Sequence, residues 1–219
     1  MRLVGFLDTP AMTDMVLVGE IGHVATVSGT LESYDLSDPT RPRRLGARQI
    51  GGQRHWMAAD GANIAALAET QCPSHPSMVC DSTLHVIDAR DPAAVRALGA
   101  VTLPLGTEHV EWRGGFAYAL HRGLALDPSA ADSRLLVVDA RDPARPVLVN
   151  EVPLEDARSL DVDQDRLYVG AGESGVMVFD LRVPSAPHLA ARIDTPELTV
   201  VHDVDAANGV LYVAGAGGI

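Results

Sequence analysis

Four stretches of this chain align without gaps, and their alignment decides the fold: residues 31–42 (LESYDLSDPTRP), 84–95 (LHVIDARDPAAV), 135–146 (LLVVDARDPARP) and 176–187 (VMVFDLRVPSAP). One column holds Asp35, Asp88, Asp139 and Asp180, at spacings of 53, 51 and 41 residues. Three of the four continue into Asp-Pro, at Asp38-Pro39, Asp91-Pro92 and Asp142-Pro143, and the last has Val183-Pro184 instead. Repeats of this period belong to propeller blades or to paired helices. Local pattern decides between them, because each unit consists of apolar runs of four to six residues punctuated by Gly, Asn, Asp or Pro, which is the punctuation of strands.

Within a unit the order reads as an inner strand (HVEW, SLDV, HDVD), a second strand (FAYAL, RLYVG, VLYVA), a third ending at the column Asp, and an outer strand (RRLGARQI, RALGAVTL, PVLVNEVP, PHLAARID). The expected fold class is all-β, a β-propeller of four-stranded antiparallel blades. Strands buried on both faces lose the clean alternation of a half-exposed sheet, which explains the near-continuous apolar runs. The blades fall at 11–50, 51–104, 105–153 and 154–196, with an outer strand at 1–10 and a half blade at 197–219. Four complete and two partial blades make either a five-bladed ring or a fragment of a larger propeller. Asp8-Thr9-Pro10 matches Asp194-Thr195-Pro196, which places the start of the chain in an outer strand. The half blade would leave strand edges open, and self-association through them is expected.

The pattern of an LYVG-like strand, a Gly-rich turn, a strand ending in V-D or F-D and then DP and xxP resembles the LVIVD-repeat family of bacterial and archaeal β-propellers. The resemblance runs through all four units. It implies a propeller, often on proteins exported to the cell surface, with no common catalytic residues to carry over. The short second-to-third turn of the first unit and Val183 in place of Asp are the departures.

Composition narrows the function. The 219 residues carry 29 acidic and 17 basic side chains, a net charge of −12, and all the basic residues are Arg. No basic stripe appears, so nucleic acid and anionic lipid are poor partners. No apolar run is long enough for a membrane span. The opening MRLVGFLDTPAMTD meets Asp8 and Pro10 before an apolar core develops and does not read as a signal peptide.

Two units carry extra residues between second and third strands: Tyr168 and Asp180 are 12 residues apart, Tyr118 and Asp139 are 21, and Ala65 and Asp88 are 23. Long loops LAETQCPSHPSMVCDST and LHRGLALDPSAADSR are therefore expected in blades two and three, on the side of the array that commonly binds partners. The first holds Cys72 and Cys80, whose spacing suits a disulfide loop better than a zinc knuckle; His75 between them could instead join both as a metal ligand.

Chemistry-bearing motifs are few. Gly170, Gly172 and Gly175 satisfy GxGxxG, but VMVFD follows as a strand, so the helix N-terminus that would hold a pyrophosphate is missing and a tight turn is the reading. Asp161, Asp163 and Asp165 open like a calcium loop, yet Arg166 and Gly172 stand where that loop needs Gly and Glu. The column Asp residues read as Asx-turn acceptors. His55, His109 and His202 each lie near the start of an inner strand, where a propeller converges on its axis. They form either a set of backbone-bonding imidazoles or a divalent transition-metal site, with Glu108, Glu111 or Asp203 as further ligand or base. Met15 and Arg158 at the corresponding places break any five-fold ring of ligands. The leading expectation is a non-catalytic interaction or scaffold module without cofactor, contacting its partner through the loops of blades two and three. The alternative is a metal-dependent hydrolase or oxidoreductase at the axis.

Overall fold

The computed structural model describes residues 10–72, 75–122, 133–194 and 196–217, and within its strands the side chains of 54, 70–72 and 75–81 stay outside the description. Every regular element among these residues is a strand. Four sheets have four antiparallel strands each, in consecutive order: β1 (Met12–Val18), β2 (Ile21–Thr26), β3 (Thr30–Asp35) and β4 (Arg43–Gln49); β5 (Arg54–Asp60), β6 (Asn63–Cys72), β7 (His75–Asp88) and β8 (Arg96–Leu103); β9 (Thr107–Arg113), β10 (Phe116–His121), β11 (Arg134–Asp139) and β12 (Val147–Pro153); β13 (Ser159–Asp163), β14 (Arg166–Gly170), β15 (Val176–Asp180) and β16 (His188–Ile193). A fifth sheet among the described residues holds two strands, β17 (Val200–Ala207) and β18 (Val210–Ala216). By packing, the chain forms two compact units, one with β1–β8 and one with β9–β18.

Each inner strand turns into its second strand through two residues. Gly114 and Gly115 (φ 59° and 80°) and Asn208 and Gly209 (φ 55° and 78°) take left-handed backbone at both positions, as the turn matched to strand twist requires. Register is uniform: the column Asp lies opposite the first residue of the second strand, in the pairs Ile21 with Asp35, Asn63 with Asp88, Phe116 with Asp139 and Arg166 with Asp180. A bulge then separates the third from the outer strand in all four sheets.

Burial follows position in the sheet. All of β10 is buried, and so are the four central residues of β3 and of β11, because both faces of these strands are covered. The outer strand β16 is exposed along its whole length. In the first unit Ala25 and Leu31 pack against Met57, Ile64, Ala66 and Ile87 of the following sheet. In the second, Tyr118, Leu120, Leu135 and Val137 meet Leu160, Leu167, Val169, Met177 and Phe179, and β17–β18 covers β13–β16 through Val201 and Val204. Each fully buried Leu contributes on the order of 2 kcal/mol by removal from water.

The expected loop of blade two is a correction. Most of LAETQCPSHPSMVCDST is strand: β6 runs to Cys72 and β7 starts at His75. The partner strands end earlier, β5 opposite Glu69 and β8 opposite Ser82, so the residues beyond pair only with one another as a ribbon. Thr70 and Val79 are strand formers that suit such a ribbon, and Pro76 falls in the register shift between Cys72–His75 and Gln71–Val79, where no ladder bond is required. The corresponding stretch of blade three, residues 123–132, lies outside the described residues, as do residues 1–9.

Candidate functional site

The column Asp residues are turn acceptors. Asp35 takes the N–H of Ser37 at 3.0 Å, Asp88 that of Arg90 at 3.0 Å, Asp139 that of Arg141 at 3.1 Å and Asp180 that of Arg182 at 2.8 Å. The Asp of Asp-Pro repeats the device two residues on, Asp38 with Thr40 and Asp91 with Ala93. In three units the same Arg also folds its guanidinium back on the carboxylate, at 2.6 Å in each case. These bonds hold the carboxylates charged: hydrogen bonds from Arg90 and Arg182 keep Asp88 well below the usual range and Asp180 at about 2. The ARD and LRV signatures that carry these guanidiniums are visible in the aligned stretches, but the pairing itself was not read from them.

The turn containing Gly170, Gly172 and Gly175 is closed by Ser174 N–H on Ala171 O and Ala171 N–H on Gly175 O, both 2.8 Å, and leads into strand β15. Asp161 and Asp163 serve the packing of β17–β18 on the sheet before it. Asp161 accepts the N–H of Val162 at 2.7 Å through Oδ1 and that of Ala206 through Oδ2, and Asp163 accepts Gly209 N–H at 2.6 Å. Burial first, with Asp205 nearby, raises the Asp161 carboxyl above its ordinary value.

The three histidines meet different surroundings. His55, in the first unit, is buried; its Nε2–H donates to Gly51 O at 2.7 Å and Nδ1 faces the Thr13 hydroxyl at 3.2 Å, so both ring nitrogens are engaged. Burial lowers its pKa, against the opposing pull of Gly51 and Asp14. In the second unit His109 is the residue that a bulge inserts into β9, with φ 52°, a backbone that bulges tolerate and regular strands do not. His202 is likewise skipped in the pairing of β17 with β18, and is exposed. Neither bulge has a sequence signature that a Gly would have supplied. Within each unit, among the described residues, no group of three or more His, Cys, Asp or Glu side chains is placed to hold a metal.

The side chains of Cys72, His75 and Cys80 fall outside the description. Their backbone pairs Cys72 with His75 and leaves Cys80 in the register shift between Thr70–Asp81 and Gln71–Val79. The structure also shows what the sequence reading missed in the first unit: Glu32, buried, accepts from the Tyr34 hydroxyl and from Arg44 at 2.8 Å, and His85 lies close enough to His55 to lower its pKa further after burial.

A second surface lies in the second unit: a cavity of about 800 Å³ lined by Asp163, Arg166, Tyr168, Asp180 and Ala191 among others. It lies on the face of β13–β16, and Gly209 of the β17–β18 turn also borders it.

Residues 155–195 match the model of the family described as LVIVD repeat. The chain is similar in structure to the β-propeller domain of Cps50 (Swd1) from Myceliophteria thermophila (TM-score 0.66, 11% identity, over 98% of this chain and 65% of that one). It is similar too to the computationally designed Ika8 protein (0.63, 11%, 94% and 56%) and Ika4 protein (0.57, 12%, 82% and 98%). The chain thus spans 56% of the length of Ika8. No curated protein sequence matches it. At such identities the likeness shows the fold alone, which is that of a β-propeller with four-stranded antiparallel blades.

Proposed function

We propose that this β-propeller module, with its LVIVD repeat at 155–195, is a non-catalytic interaction module that holds a protein partner through the β6–β7 ribbon. The observation that carries the reading is the length mismatch inside one sheet. β6 and β7 have 10 and 14 residues, whereas the second and third strands of the other three complete sheets have five or six. Beyond Glu69 and Ser82 the ribbon's two outer edges pair with neither β5 nor β8, which leaves rows of backbone donors and acceptors of the kind an extended partner strand completes. Residues 123–132, expected from the sequence to be a long loop, stand at the equivalent place in the repeat and are proposed to share the contact. The resemblance to exported propellers supports the same use at a cell surface.

Replacing residues 70–81 by Asn-Gly joins Glu69 to Ser82, which already face each other, through a two-residue turn and keeps the four-stranded part of the sheet. The intact chain is expected to retain one partner in stoichiometric amount, and the shortened chain to lose it at unchanged thermal stability. Equal retention by both chains would refute the assignment of the ribbon.

A further inference from the structure

Inside the first unit, the apolar joint between the sheets β1–β4 and β5–β8 is interrupted by imidazoles. Side chains alternate between the two faces of a strand, so residues two apart share a face. Ala25 and Leu31 of the first sheet pack on Ala66 and Ile87 of the second. His23 stands two residues before Ala25 and Ser33 two after Leu31, while His85 stands two before Ile87 and directly opposite Ala66. His55 enters the joint from β5, with Nδ1 3.2 Å from the Thr13 hydroxyl of β1. The repeat does not demand these rings. Register puts Ala65, Tyr118 and Tyr168 in the place of His23, and Glu32, Leu136 and Met177 in that of His85.

The rings differ in what a proton would find. His55 has an acceptor at each nitrogen: Gly51 O lies 2.7 Å from Nε2, and the Thr13 hydroxyl, facing Nδ1, can pass its own hydrogen to Ala25 O at 3.3 Å. A charged His55 is therefore fully bonded where it stands. His23 is not. Its Nδ1 bonds the Ser33 hydroxyl at 2.9 Å, and its Nε2, in a side chain with no exposure, has no hydrogen-bond partner among the described residues. We assign the neutral ring its hydrogen on Nδ1, donating to Ser33. Protonation then adds a buried N–H that points at no acceptor.

Compensating charge is scarce at this joint. Burial lowers the pKa of all three imidazoles; Asp14 opposes it at His55, a charged His55 adds to it at His85, and nothing opposes it at His23. Asp14 already accepts from the N–H groups of Met15 and Met57. Asp35, on the face of Ser33, is taken by Ser37 and Arg43, and Arg48 of β4 donates to Val95 O. Glu32 and Arg44 alternate onto the far face of the first sheet, and Asp60, Glu69, Asp88 and Arg96 onto the far face of the second.

We propose that the joint is a proton-operated latch, closed while His23 is neutral and opened between the two sheets when His23 takes up a proton, because the charged ring finds its second acceptor only in water. Opening begins as the pH falls below about 6.5, the ordinary imidazole value. It uncovers Ala25, Leu31, Ala66 and Ile87. It also loosens the foot of the β6–β7 ribbon, where His55 holds Gly51 and the Gln53 N–H donates to Glu69 O. The latch belongs to the packing of the two sheets and stands whether or not the ribbon holds a partner.

The test reads single thiols in the intact chain carrying Cys72→Ser and Cys80→Ser. Ala25→Cys lies on the joint and Val86→Cys on the far face of β7, and both positions are fully buried. Reaction with a pyridyl disulfide is followed at pH 7.5 and 5.5, each rate divided by that of the same chain unfolded in denaturant at the same pH. One imidazole that ionises near pH 6.5 only in the open state raises the normalised rate about tenfold over this interval. A rise of about tenfold or more is expected at Ala25→Cys, with less than a doubling at Val86→Cys, and His23→Gln should cut the rise several-fold. Equal rises at the two positions would mean that the whole unit melts and would overturn the proposal. So would a rise below threefold at Ala25→Cys, or one that a cooperatively melting His23→Gln chain retains in full.

Discussion

The Tyr118 hydroxyl reaches across from one sheet to donate to the Pro184 carbonyl of the next, 3.1 Å away, from a side chain only 1% exposed. It joins the middle of β10 to a turn that has no other hydrogen-bonded tie to that strand among those described. Removing the hydroxyl by Tyr118→Phe leaves a carbonyl short of its partner and keeps the ring packing. A loss of about 1 kcal/mol is expected. In thermal unfolding this is a fall in Tm of about 2–4 °C, and an unchanged Tm would show that water replaces the bond.

Gly46 and Ala191 occupy the same register position of β4 and β16, but one faces a neighbouring carbonyl and the other an open cavity. A methyl group at Gly46 would press on the Ala93 backbone, which has no flexible end to move away. Gly46→Ala is expected to destabilise by about 1–3 kcal/mol, whereas Ala191→Gly, at an exposed site, should change stability by about 0.5 kcal/mol or a little more through backbone freedom. Denaturant midpoints at constant m-value measure both.

Three imidazoles of the first unit, His23, His55 and His85, have pKa values lowered chiefly by burial. Their folded values lie below the unfolded 6.5, so between the two the unfolded chain binds more protons. Stability is then complete above about pH 6.5 and declines as the pH falls below it, until the folded imidazoles also take up protons. Thermal unfolding at pH 7.5 and 5.5 should show the lower Tm at pH 5.5, with much of the difference removed by His23→Gln. Imidazole titration by NMR should place all three midpoints below the ordinary histidine value of about 6.5; midpoints at or above it would contradict the assignment.

Cys72 and Cys80 belong to the same ribbon, within one register shift of each other along its backbone. Protein made in an oxidising compartment is expected to close them into a disulfide, restricting the unfolded chain by a short loop. Thiol counting under denaturing conditions reads the outcome directly. Two titratable thiols would return attention to His75 as their companion.

Strand boundaries were legible because their signals are local. The column Asp, the x-Pro turn and the two-residue Gly and Asn turns are short-range requirements of backbone geometry, so the alignment of 31–42, 84–95, 135–146 and 176–187 located the end of each third strand and, except for β7, its start to within a residue. The β6–β7 ribbon was not legible in the same way. Its cysteines, prolines and serine suggested irregular structure, while the strand length came from pairing between two stretches whose polar residues tolerate either state. The histidines show a second limit. His55, His109 and His202 share a place in the sequence pattern, yet two of them sit on bulges and one does not, because a bulge inserts one residue and reassigns which side chain meets the partner strand. The cavity beside Tyr168 was out of reach for a different reason, since it depends on what lies opposite Tyr168 in space, and the repeat makes Tyr168 look the same as the buried Tyr118.

Consecutive order within every sheet has a kinetic corollary. Each four-stranded sheet is assembled from one uninterrupted stretch of chain, with every strand hydrogen-bonded only to its immediate predecessor and successor. Closing such hairpins spends little loop entropy, so the usual slowness of all-β proteins, which comes from distant pairings, is relieved sheet by sheet. A nascent chain leaving the ribosome can finish β1–β4 before β5 has been synthesised, and within each compact unit a completed sheet then offers a template face to the next, so that structure grows along the polypeptide in the direction of its synthesis.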